Sequence, residues 1–170
     1  MRRYLQGRTP SRLLEAMGEE LEKIFKDVKV EVEEQDGRRV TKPVHTFIQG
    51  IPVTRAGEDE EEQYPQVEFR IIQGYNGYEG DEDNKRIYVG MFVYGVCDHR
   101  RSADCWKQLL HLYEIVDNRF MYDPILEGFE AVNEHKFEMQ SDDTYPFYFM
   151  ASTIKFAGPL KDRQDVNDLI

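Results

Sequence analysis

Both cysteines of the chain and two of its four histidines fall in one short stretch, CDHRRSADCWKQLLH, from Cys97 to His111. Thiolates and imidazoles are the usual ligands of zinc, and a thiol beside a base is a common nucleophile. The spacing C-x-H-x5-C-x5-H lacks the C-x2-C and H-x3-H pairs that hold zinc from a single turn. A helix opening at Ser102 has a core stripe of Cys105, Leu109, Leu112, Val116 and Phe120. At about 100° per residue, Cys105 lies about 40° from Leu109 and points inward, while His111 lies about 160° away and points outward. Those two cannot face one ion without breaking the helix. Cys97 ends a strand, where a small apolar residue fits. Its neighbours His99, Arg100 and Arg101 would suit a reactive thiol, but they read more simply as solvated residues between a strand and a helix. The stretch is therefore read as structure, with no metal, no cofactor and no catalytic residue expected.

The acidic residues offer a second chemistry. The net charge is −11, which disfavours nucleic acid and anionic membrane as partners. One run, Glu58 to Glu62, lies in the loop GIPVTRAGEDEEEQYP; another loop, GYNGYEGDEDNK, carries Glu79, Asp81, Glu82 and Asp83. With Asp81 and Asp83 set as the first two ligands of a calcium loop, Arg86 stands where glycine is required and Phe92 where glutamate is, so the pattern fails. Both loops are read as solvated segments with little apolar surface to anchor them. No glycine-rich phosphate loop, G-x-S-x-G elbow or H-E-x-x-H helix is present. His45 and His135 sit in strand-like alternation with no evident partner.

The remaining chain supplies the elements. TPSRLLEAMGEELEKIFKDV predicts a helix capped by Thr9, with Pro10 at its first position. Its apolar residues recur at Leu14, Met17, Leu21, Ile24 and Val28, and Glu15, Glu19, Glu22, Lys23 and Lys26 form a solvated face. In VKVEVEE the period changes to two, and Asp36-Gly37 signals a turn back into RRVTKPVHTFI, with Pro43 suggesting an edge strand. QVEFRII, RIYVGMFVYGV, FEAVNEHKFEM and YFMASTIKFAG read as further strands. The order is α-β-β-β-β-α-β-β, an α+β fold with a mostly antiparallel sheet, in one domain over residues 1–170. The acidic loops span about 50–65 and 74–85, and the polar tail, about 159–170, is read as loose. The N-terminus is not expected to act as a signal peptide, and no stretch of about 20 apolar residues could span a membrane, so a reducing cytoplasm is expected.

RIYVGMFVYGV is apolar on both faces, Ile87, Val89, Met91 and Val93 on one and Tyr88, Phe92, Tyr94 and Val96 on the other. Both must be covered, by a second layer of the same chain or by a neighbouring subunit. The interface candidates are Tyr88, Phe92 and Tyr94, together with the acidic residues Glu58, Asp59, Glu60, Glu61, Glu62, Glu79, Asp81, Glu82 and Asp83.

Three segments carry a family resemblance: GEDEEEQYPQVEFRIIQGYNG, RIYVGMFVYGVCDHRRSADCWKQLLHLYEIVDNRF and FEMQSDDTYPFYFMASTIKFAGP. An acidic loop ending in YPQVEFRI, a strand ending in YGVCD, a W-x2-LL-x-L-x-E-x-I helix and a last strand after YPFYF resemble the tail-terminator (tail-completion) proteins of phages and prophages with long non-contractile tails. The resemblance runs from Pro52 to Pro159 and extends to other head–tail joining and tail-tube-like proteins. SADCW departs from it, since relatives commonly carry a glycine or other small residue near that helix start. It implies an α+β fold, a ring of subunits, usually six, and no enzymatic activity. The implied partners are further copies of the chain, the tail tube protein and a head-completion or connector protein, with DNA passing an acidic lumen without specific binding. The implied location is the host cytoplasm during assembly and then the virion. A small α+β binding or regulatory module, or an enzyme using acidic residues and a divalent ion, are the alternatives.

Overall fold

The computed structural model describes residues 9–51, 59–76 and 85–159. Helix α1, Pro10–Phe25, starts where Thr9 accepts a hydrogen bond from the Arg12 N–H at 3.2 Å, and Pro10 loses nothing at a position whose N–H has no helical partner. Its buried stripe is Leu13, Ala16, Met17, Leu21 and Phe25. Leu14, Ile24 and Val28 only flank it, so the helix is rotated from the predicted phase. The five charged residues of the predicted solvated face are all exposed.

Strands β1, Lys29–Glu33, and β2, Arg39–Pro43, pair antiparallel as a separate hairpin. Strand β3, His45–Ile48, then leaves the hairpin and pairs parallel with β4, Gln66–Asn76. Strands β5, Lys85–Cys97, and β9, Phe147–Pro159, form the centre of the sheet with β4, all antiparallel. Helix α2, Ala103–Tyr122, follows β5, with Ser102 accepting from the Asp104 N–H at its start. The short strands β6, Ile125–Leu126, β7, Phe129–Ala131, and β8, Lys136–Met139, complete the set. The larger sheet has the order β3-β4-β5-β9-β7-β6, with β8 also pairing β9, and curls into a half-barrel. The fold is α+β and mostly antiparallel, as predicted, with three more strands in the order. One predicted strand, FEAVNEHKFEM, is divided into β7 and β8. Among the described residues no helix is long and apolar enough to cross a membrane.

Both helices lie on one face of the sheet, α1 against β3 and β4, α2 against β5 and β9, and Arg119 of α2 pairs with Glu20 of α1. Directly opposed residues share a face. Phe69, Phe92 and Ser152, and likewise Val67, Tyr94 and Met150, therefore line the helix side, and all six are at most 2% exposed. This corrects the assignment of Tyr88, Phe92 and Tyr94 to an interface with another molecule. Their rings fill the space between sheet and helices, Phe92 against Phe69 and Phe120, Tyr88 against Phe129, Tyr94 against Tyr113. The Tyr94 hydroxyl is satisfied internally, 3.0 Å from the Ser152 hydroxyl, and burial pushes its pKa up.

The other sheet face carries Arg70 of β4, Val89, Met91 and Val93 of β5, and Ala151 and Thr153 of β9, all half-buried. Glu68, beside Val93, is buried and paired with Arg70. The helices that pack on the central strands, α1 and α2, both lie on the opposite side. Beyond β3 the backbone of β4 is met by a side chain: Gln49 accepts from the Ile71 N–H at 3.0 Å and donates to the Ile71 carbonyl at 3.4 Å. A bulge between Ile71 and Gln73 follows at once.

Placing a charge at Tyr94 tests which face is core. Tyr94→Asp is expected to abolish cooperative folding by circular dichroism, whereas Tyr94→Phe, which leaves the Ser152 hydroxyl unpaired, should lower stability by about 1–3 kcal/mol in urea. A folded Tyr94→Asp monomer would contradict the buried assignment.

Candidate functional site

Strand β5 ends at Cys97, and a short link outside the strand leads to Ser102 at the start of α2. Asp98 and Arg100 turn into the protein. Asp98 is fully buried and accepts from the backbone N–H groups of Glu33 and Arg100, at 3.2 and 3.0 Å, and from the Arg100 guanidinium, at 2.8 Å for the closest contact. Arg100 also donates to the Glu31 carbonyl at 3.0 Å. Its own carbonyl receives the Tyr148 hydroxyl at 3.1 Å and the Cys105 thiol at 3.0 Å. One ion pair thus joins the hairpin, β5, β9 and α2. Burial by itself would raise the Asp98 carboxyl, but the hydrogen bonds and charge of Arg100, with the Glu33 N–H, hold it below the usual carboxylate range.

Cys97 and His99 turn the opposite way, toward a single 3-10 turn at Glu60–Gln63. Asp59 caps that turn by accepting from the Glu61 N–H at 3.0 Å. Tyr64 follows and anchors it, its ring 5.0 Å from Phe147 and 6.0 Å from Phe149. Gly95 makes the approach possible, since a Cβ there would lie 2.8 Å from the Tyr64 ring. The turn brings a Glu61 carboxylate oxygen 3.0 Å from His99 Nε2, and the Cys97 sulfur lies within 4.8 Å of both. Among the described residues this is the one cluster of three groups able to share a metal ion. His99 is fixed by its backbone N–H donating to the Glu33 carbonyl and by its carbonyl accepting from the Tyr145 hydroxyl, both at 2.9 Å.

The sequence-predicted residues fall into place unevenly. Cys105, Leu109, Leu112, Val116 and Phe120 are all buried and His111 is exposed, so Cys105 and His111 do not meet. Both cysteines are free and buried. Burial, with the nearby Glu61 carboxylate, pushes the Cys97 thiol up to about 12, and burial also raises Cys105. Neither is the low-pKa thiol that nucleophilic catalysis needs. His135, read as partnerless, has Asp117 of α2 at 2.7 Å. Of the acidic candidates, Asp59, Glu60 and Glu62 are exposed and Glu61 is half-buried against His99, so this part of the run is folded onto β5 where a solvated loop was expected. Glu58, Glu79, Asp81, Glu82 and Asp83 lie outside the described residues. Glu61 as the partner of His99 was missed, because contact across 38 positions leaves no periodic signal.

The chain matches no known protein family and no curated protein.

Removing Asp98 should show how much of the fold hangs on it. Asp98→Ala leaves Arg100 buried without its partner and is expected to cost about 3–5 kcal/mol in chemical denaturation. A carboxyl held below its unfolded pKa stabilises fully above that unfolded value, about 3.9, and the contribution is lost as pH falls through the folded value. The acid limb of the stability profile should therefore flatten in Asp98→Asn relative to wild type; identical limbs would remove Asp98 from the acid response.

Proposed function

We propose that this chain is a structural virion assembly protein that caps the tail tube and joins tail to head as a ring, six subunits by the resemblance drawn above. The observation that carries the reading is the second sheet face, where Val89, Met91, Val93 and Ala151 are apolar and half-buried while both helices pack against the sheet from the opposite side. An apolar sheet face of this kind suits burial against another molecule. The segments that carry the resemblance are the ones that build this face and its support: YPQVEFRI is the start of β4, YGVCD the end of β5, the W-x2-LL run part of α2, and YPFYF the start of β9. The partners are then further copies of the chain, the tail tube protein and a head-completion or connector protein. Assembly takes place in the host cytoplasm and the product is part of the virion. No chemistry is required of it, and its acidity lets DNA pass without adhering.

Subunits carrying −11 each repel, so a ring should weaken at low salt and firm as charge is screened. Light scattering across a salt series should give small species in dilute low-salt buffer and a ring at high concentration, at high salt or on a tail tube. Met91→Glu, which sets a charge on the open face next to Arg70, should retain the wild-type circular dichroism yet fail to form rings or complete tails. A wild type that stays monomeric under every condition, tail tubes included, points to a small binding module instead. A Met91→Glu variant that still forms rings and completes tails moves the interface off this face.

A further inference from the structure

We propose that Glu61, Cys97 and His99 form a binding site for one divalent transition-metal ion of the zinc class. The sequence-based expectation of no metal considered ligands inside the Cys97–His111 stretch, and the helix geometry does exclude Cys105 with His111. It does not bear on Cys97 and His99, which precede the helix, or on Glu61, which comes from elsewhere.

The donor set is one sulfur, one imidazole nitrogen and one carboxylate oxygen, mutually within 4.8 Å. In a tetrahedral site with bonds of about 2.0–2.3 Å, ligand atoms stand roughly 3.3–3.6 Å apart. His99 Nε2 and the Glu61 oxygen are already at 3.0 Å, and the Cys97 sulfur, within 4.8 Å of both, has the remaining distance to close. The backbone is set beforehand. Cys97 is held in the β5–β9 ladder opposite Phe147, His99 by Glu33 and Tyr145, and Glu61 by the Asp59 cap and the Tyr64 anchor. Thiolate with imidazole favours zinc over magnesium or calcium, which prefer oxygen. A thiolate and a carboxylate together balance the charge of a divalent ion, and three protein ligands leave the fourth position to water or to a donor from another molecule. On binding, the Cys97 S–H bond breaks, sulfur keeps the electron pair to form the S–metal bond, and the proton passes to solvent. The ion would clamp the 3-10 turn to the end of β5. The proposal stands independently of the assembly reading.

Cobalt(II) titration of the full chain, freed of metal by chelator, tests it. A tetrahedral site with one thiolate gives a thiolate-to-cobalt charge-transfer band and intense visible bands, saturating at one ion per chain and bleached by zinc. The second cysteine is an internal control: Cys97→Ser should lose the charge-transfer band, while Cys105→Ser should keep it. His99→Ala and Glu61→Gln should weaken binding on the order of tenfold or more, and with about one proton released per ion, affinity should rise about tenfold per pH unit below the thiol pKa. If Cys97→Ser fails to fold by circular dichroism, the His99 and Glu61 variants decide. No cobalt band in the wild type, a band that survives in folded Cys97→Ser, or unchanged affinity in both His99→Ala and Glu61→Gln overturns the assignment.

Discussion

The buried pair of Asp98 and Arg100 is the constraint on which the arrangement turns. A carboxylate with no exposure is tolerable only when its charge and lone pairs are met, and here a guanidinium and two backbone N–H groups meet them. Those partners come from different elements, so satisfying one residue fixes several. The hairpin β1–β2, outside the main sheet, is tied to it through Glu31 and Glu33. The Arg100 carbonyl collects a tyrosine and a thiol, which sets where α2 begins. With Asp98 and Arg100 engaged on one side, Cys97 and His99 turn to the other, where the Glu60–Gln63 turn meets them and Cys97 stays buried. The cluster with Glu61 is a by-product of the same constraint.

The sheet divides the molecule unequally. On one side, two helices and a set of aromatic rings make a closed core, with its buried hydroxyl pair of Tyr94 and Ser152 satisfied. On the other, Val89, Met91 and Val93 of β5 and Ala151 of β9 stand half-buried beside the Glu68–Arg70 pair of β4, with Tyr64 packed on Phe147 and Phe149 at one end. The large aromatics singled out in the sequence, Tyr88, Phe92 and Tyr94, are core residues of this chain. They are the residues that a thick sheet–helix space requires, while the opposite face carries smaller residues that stand half-buried.

Much of the frame was legible in the residues. The stripe of α2 was read correctly because its apolar positions fit the helical period in one phase only. The stripe of α1 was read one step off because Leu13 and Leu14 are both apolar and either phase fits; packing against β3 and β4 selected Leu13. The parallel pairing of β3 with β4 gave no local signal, since turn residues announce hairpins and nothing announces a parallel neighbour. The division of FEAVNEHKFEM was invisible for a similar reason: β7 and β8 both pair with β9, and the break between them depends on that partner. The Glu61 cluster was hidden within an acidic run whose members look alike; only one is carried inward by the Tyr64 anchor.

Gln49 has a consequence for the open margin of the sheet. An unfinished sheet margin offers its backbone to any passing strand, and such pairing has no natural end. Here the margin strands are brief, four residues in β3 and two in β6. Where β4 outruns β3, the Gln49 amide occupies the donor and acceptor of Ile71 that a foreign strand would seek, and the bulge beyond bends the ladder away. Along this stretch the molecule is guarded against growing into fibrils by main-chain pairing.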